Sequence, residues 1–100
     1  MDSQLKKGFL ELLVLASLKY EDSYGYMIHQ EVSRTVPMSE STLYPILRRL
    51  ETQALVTTYE TIFNSRVRRY YQITKAGLRK LSESESDFIE LKKIYDYILR

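Results

Sequence analysis

The chain offers little material for reaction chemistry. It has a single histidine, His29, and no cysteine. Without thiols there is no disulfide framework, no thiolate nucleophile and no thiolate-bound metal. An acid–base or metal centre needs further groups within reach, and His29 stands in a helical stretch with no second histidine to share an ion. No enzyme activity, metal or cofactor is expected. What the sequence does supply is arginine set among hydroxyls and tyrosines, in "SESTLYPILRRLE" (Ser39 to Glu51) and "RVRRYYQIT" (Arg66 to Thr74). Guanidinium groups suit phosphates and the acceptor edge of guanine, which they engage through paired donors.

Charge is unevenly divided. The net charge is +2, yet the segment from Arg34 to Lys80 holds nine basic residues against three acids, Glu40, Glu51 and Glu60. That segment is therefore +6 and the remainder −4. Such asymmetry points to a basic face meant for a polyanion, with the acidic parts turned elsewhere. One hundred residues, 44% of them hydrophobic, make about one domain with a modest core, so oligomerisation is a reasonable way to bury more surface. The apolar run after Met1 falls short of the ~20 residues of a membrane span, and Glu11 and Lys19 interrupt or flank it. With no small-residue cleavage site it reads as a mature helix of a cytoplasmic protein, with no membrane contact.

These residues need elements to hold them. Leu5 to Leu18 is apolar around most of a helix and must be covered on more than one side. Glu21, Asp22 and Ser23 break it, and Ser23 is placed to cap a second helix from Tyr24 to about Thr35, with Tyr24, Ile28 and Val32 facing inward. Gly25 in its first turn suits a close approach by another backbone or by a phosphate, or is a packing glycine. After the turn "TVPMSE" a third helix begins at Ser39 or Ser41, with Leu43, Leu47 and Leu50 as its buried stripe. The opposite side carries Ser41, Pro45, Arg48 and Thr52, flanked by Tyr44 and Arg49. Proline is tolerated near a helix start, where N–H groups have no internal partner. If Ser39 is the cap, Pro45 lies deeper, and a kink or a freed carbonyl at Ser41 is expected.

The runs "LVTTYETIF" and "RVRRYYQIT" are rich in β-branched and aromatic residues and meet at Asn64 and Ser65, which predicts a hairpin. Alternation sends Val67, Arg69, Tyr71 and Ile73 to one face, and Arg66, Arg68, Tyr70 and Gln72 to the other. From a cap at Thr74 a last helix runs nearly to Arg100, about 25 residues or roughly 38 Å. Leu81, Phe88 and Tyr95 repeat every seven residues, as do Ser84, Leu91 and Ile98, with Ile89, Ile94 and Leu99 widening the stripe. That period is the seam of helices packed along one another, here with a second copy of the chain.

The predicted fold is therefore mainly α with a small β-hairpin: a winged helix-turn-helix over residues 1–73, and a long C-terminal dimerisation helix over 74–100 that forms one unit with the N-terminal helix. The segments "YGYMIHQEV", "STLYPILRRLETQALV" and "RRYYQITKAG" together resemble the PadR family of bacterial transcriptional regulators, nearly throughout the chain and in the right order. The resemblance implies a dimeric repressor in which Ser41, Thr42, Tyr44 and Pro45 sit at a DNA groove, Tyr24 faces the phosphate backbone, and Arg66 and Arg68 belong to the wing. Ser39, Arg48 and Arg49 complete the reading helix, and Asn64, Ser65 and Tyr70 the wing. The dimer interface is assigned to Leu5, Phe9, Leu81, Phe88, Leu91, Tyr95 and Ile98. Two departures stand out: Ser41 replaces a glycine common before Thr-Leu-Tyr-Pro, and the wing tip lacks glycine.

The expected partners are double-stranded DNA, as an inverted-repeat operator, and a second copy of the chain. Some relatives bind flat aromatic compounds at the dimer interface, in places with the help of tryptophan; this chain has none, and Phe9, Phe88, Tyr95 and Tyr97 would line any equivalent pocket for a small aromatic effector. The competing reading is a winged helix that uses its hairpin on another protein and never touches DNA. Salt separates the two, since phosphate contacts are salt-sensitive and apolar ones are not.

Overall fold

Helix formation begins at Asp2, whose carboxylate accepts from the amides of Gln4 and Leu5. The computed structural model describes all residues, Met1–Arg100, and orders them as α1 (Ser3–Ala16), β1 (Ser23–Tyr24), α2 (Gly25–Ser33), α3 (Glu40–Thr52), β2 (Val56–Phe63), β3 (Arg66–Ile73) and α4 (Lys75–Ile98). Leu10, Val14 and Leu15 of α1, with Leu18 just beyond it, are buried against Ile28 and Val32 of α2 and the α3 stripe of Leu43, Ile46, Leu47 and Leu50. The spacing i, i+3, i+4, i+7 in α3 is that of a helix buried along one side. Leu55, Val56 and Tyr71 close the core from the sheet.

The expected hairpin is present but is not the whole sheet. Three antiparallel strands run in the order β1-β3-β2, with Ser23 opposite Tyr71 and Tyr24 opposite Tyr70. Ser23 is thus a strand residue and not the cap of α2. Tyr24 takes the cap position in extended geometry, with φ −119° and ψ 164°, and makes no side-chain cap bond. The physical reason is its ring, which lies 5.5 Å from the ring of Tyr70 and draws the segment into the sheet. α2 ends at Ser33, two residues short of the expected Thr35.

Ser39 is the cap of α3, its Oγ accepting from the Thr42 amide at 3.2 Å. Pro45 therefore lies beyond the first turn, inside the helix. With no N–H at Pro45, the Ser41 carbonyl loses its i+4 donor, as expected for this cap, and exposure of Ser41 leaves it open to water. α3 ends in a Schellman arrangement: Leu55 N donates to Leu50 O and Ala54 N to Glu51 O, each at 2.9 Å. Ala54, at φ 57°, occupies the left-handed position usually given to glycine.

α4 starts where expected, with Thr74 Oγ1 accepting from Gly77 N at 3.1 Å and donating to Ala54 O at 2.7 Å. Gly77 is buried, and a Cβ there would run into the Leu55 carbonyl and the Ile73 side chain. Leu81 packs on the chain's own core, so within its heptad series only Phe88 and Tyr95 remain open. No helix is long and apolar enough to cross a membrane.

Candidate nucleic-acid interface

With Leu43, Ile46, Leu47 and Leu50 turned inward, α3 presents Ser41, Thr42, Tyr44 and Arg48 to solvent. Ser39 Oγ joins Ser41 Oγ at 2.8 Å and Thr42 Oγ1 at 3.1 Å, a hydroxyl cluster over the first turn. Tyr44 lies across the start of α2. A Cβ on Gly25 would stand 2.5 Å from Tyr44 Oη and 3.0 Å from its Cε1, so this glycine makes room for a tyrosine side chain and is the packing glycine of the two alternatives, with no backbone approaching it. Arg48 is exposed and makes no salt bridge.

Arg49 is placed differently from its neighbour. Its Nε donates to Glu11 Oε1 of α1 at 2.7 Å, so its charge is answered inside the fold. Pro45 is half-buried on the same flank. His29 also bonds within the fold, where its Nε2 donates to the Met38 carbonyl at 2.7 Å and ties α2 to the turn before α3. No group of three or more His, Asp or Glu side chains is placed to hold a metal.

In the wing, Asn64 and Ser65 have φ of 50° and 63°, the two positive values that a two-residue type I′ turn needs, and Phe63 faces Arg66 across it. The three arginines beside the tip have separate environments. Arg66 is exposed and unpaired. The Arg68 guanidinium lies between two rings, 4.0 Å from the centre of Tyr24 and 4.1 Å from that of Phe63. Arg69, on the opposite face as alternation requires, reaches back to both carboxylate oxygens of Glu51 at 3.1 Å. Tyr24, Tyr70 and Tyr59 form a row across the three strands, Tyr59 stacked at 5.6 Å on Tyr70.

Tyr59 Oη donates to Asp22 Oδ2 at 2.6 Å, and this bond, ahead of desolvation and the Asp22 charge, pushes the phenol above its ordinary pKa of 10.0. Burial does the same for Tyr71. Sequence reasoning missed Tyr59, Asp22 and Phe63 as supports of the wing, and Glu11 and Glu51 as partners of arginines. Period-two alternation places Tyr59 and Phe63 beside Tyr70 and Arg68 once the register is known; the carboxylate pairings join distant segments and left no local signal.

A cleft of about 530 Å³ separates α3 from β3, with Tyr44, Arg48, Arg68 and Tyr71 in its walls. On the far side of the molecule, α1 and α4 enclose a second cleft of about 570 Å³ that brings together Leu5, Phe9, Phe88 and Leu91, with the Phe9 and Phe88 rings stacked 5.7 Å apart. Tyr95 and Ile98 lie further out on α4 and are largely exposed, at 58% and 68%.

Comparison with known proteins agrees with this fold. Residues 14–83 match the model of the transcriptional regulator PadR-like family. The chain is 31% identical over 90% of its length to a transcriptional regulator of Mycobacterium tuberculosis, Rv3488, of which it covers 85%. A PadR family transcriptional regulator from Eggerthella lenta superposes with a TM-score of 0.82 at 35% identity, over 97% of this chain and 87% of that one. A PadR-like regulator from Bacillus cereus gives 0.85 at 28% identity over 98% of each chain. These relatives are regulators of transcription. A basic helix-and-wing face on a fold shared with them, and a family match over most of the chain, mean that this protein belongs to the PadR-like family of transcriptional regulators.

Proposed function

We propose that the protein is a cytoplasmic, sequence-specific DNA-binding repressor that acts as a homodimer on an inverted-repeat operator. The observation that carries this reading is the outer side of α3, where Ser41, Thr42, Tyr44 and Arg48 stand exposed and Arg48 is unpaired, directly behind a fully buried leucine stripe. α3 enters a major groove, Arg48 reads a guanine edge, and Arg66 at the wing meets phosphate. Arg68 supports the wing from its place between Tyr24 and Phe63, and Arg49 holds α3 in place through Glu11.

Dimerisation follows from the outer half of α4. Phe88, Leu91, Ile94, Tyr95 and Ile98 are all more than 40% exposed, an apolar run that a monomer leaves wet. A two-fold dimer built on it sets the two reading helices about one helical turn of DNA apart, which calls for half-sites at that spacing.

The test is selection of bound genomic fragments by the purified protein, followed by affinity measurement across salt. The expected result is a symmetric site and a log affinity that falls steeply with log salt. Affinity for a partner protein that is indifferent to salt, with no duplex retained, would sink this reading in favour of protein docking through the wing. A second reading, small-molecule response, is favoured by the α1–α4 cleft, whose volume suits a flat aromatic compound beside Phe9 and Phe88. A rise in melting temperature with planar aromatic ligands, absent in Phe88→Ala, would support it.

A further inference from the structure

We propose that Lys6 and Lys7, in the first turns of α1, grip the DNA backbone on the side of α3 away from the wing, so that the reading helix is held from both flanks. This rests on the DNA-binding reading given above.

α3 has a cleft along each side. The wing-side cleft takes Tyr44, Arg48 and Glu51 from α3 and Arg68 from β3. The other, about 570 Å³, takes Ser41, Thr42 and Pro45 from α3, and Lys6 and Lys7 from α1. A helix with its side chains is about 10–12 Å across and the major groove about 12 Å wide, so a seated helix has a sugar-phosphate strand close on either side. The wing attends one strand, and α1 stands beside the other.

The charges at that flank are arranged for an external anion. Both lysines are exposed and neither pairs with a carboxylate of the chain. Arg49 shares the cleft but is engaged by Glu11, which leaves the lysines as its available cations. Of the two acids nearest in sequence, Glu11 on α1 is taken by Arg49, and Asp2, the cap residue before α1, accepts from the Gln4 and Leu5 amides. Lysine, a mobile point charge without a planar fork, suits phosphate and carries no base preference. These two residues lie outside the Arg34–Lys80 segment that holds the basic excess, so the strand they serve is invisible to a count of charge along the chain.

The test uses the full-length chain carrying Lys6→Ala and Lys7→Ala together, on a duplex selected by the parent protein. Each lost phosphate contact lowers the slope of log affinity against log salt by about 0.9, so the double variant of a dimer should lose a slope of roughly 3.6. The ratio of affinities for cognate and scrambled duplex should stay unchanged, and Lys6→Glu with Lys7→Glu should weaken binding further, while melting curves hold. An unchanged slope in the alanine variant, against a steep parent slope, overturns this inference and leaves the DNA-binding reading intact. A parent that binds no duplex overturns both.

Discussion

Arg49 Nε donates to Glu11 Oε1 across 2.7 Å, and this bond joins α3 to α1 through half-buried side chains. Adjacent arginines on α3 thus have different duties: Arg48 faces outward and Arg49 holds the helix in place. Arg49→Ala should destabilise the fold, and a double-mutant cycle with Glu11→Gln should show a coupling of about 1 kcal/mol in urea unfolding. Arg48→Ala should leave stability unchanged and cost on the order of 1 to 3 kcal/mol in DNA affinity at one base position. Equal effects of the two substitutions on stability would refute this division.

Ala54 closes α3 in a left-handed conformation, φ 57°, that a Cβ makes costly. Both Schellman hydrogen bonds are already present. Ala54→Gly should therefore raise stability by about 1 kcal/mol with no change in DNA affinity, read from thermal or chemical denaturation. A loss of stability would mean that the freedom glycine adds to the unfolded chain outweighs the relieved strain.

The Tyr59–Asp22 bond predicts a response at high pH. The folded state raises the Tyr59 pKa, so it favours the neutral phenol. That contribution is complete below the unfolded value near 10.0 and disappears as pH climbs through the folded one. Stability should accordingly fall on the alkaline side, where Tyr71, raised chiefly by burial, acts in the same direction. Ultraviolet titration should show two late phenols, of which one, Tyr59, moves back toward 10.0 in Asp22→Asn while Tyr71 stays late. No movement would mean that the carboxylate is not the cause.

The outer part of α4 should determine oligomeric state. Leu91 and Ile98 lie on one heptad series and are 43% and 68% exposed. Leu91→Glu with Ile98→Glu places charge on that seam, at residues outside the buried core. Sedimentation should show a dimer for the parent at micromolar concentration and a folded monomer for the variant, with operator affinity lost in step. A variant that stays dimeric would place the interface elsewhere.

Much of this architecture is legible in the sequence because its signals are local. Thr74 as a cap, the leucine spacing of α3 and the alternation of β3 each follow from a few neighbouring residues. β1 is not legible: two residues have no periodicity, and Ser23 looks like a cap until Tyr70 is seen opposite Tyr24. The candidate site divides the same way. Arg48, Arg49, Arg66 and Arg68 all read in the sequence as cations for DNA, and the internal duties of Arg49 and Arg68, like that of Arg69, depend on Glu11, Tyr24 and Glu51, residues brought near only by the tertiary fold.

The base of α4 is a stiff joint. Gly77 lies so close against the Leu55 carbonyl and Ile73 that no side chain fits between, and Thr74 is bonded on both sides of the junction. A rod hinged on a loose linker would swing without consequence. Here the foot of α4 is packed directly on Leu55 and Ile73, next to the start of β2 and at the end of β3, so the rod and the hairpin that carries Arg66 share one junction.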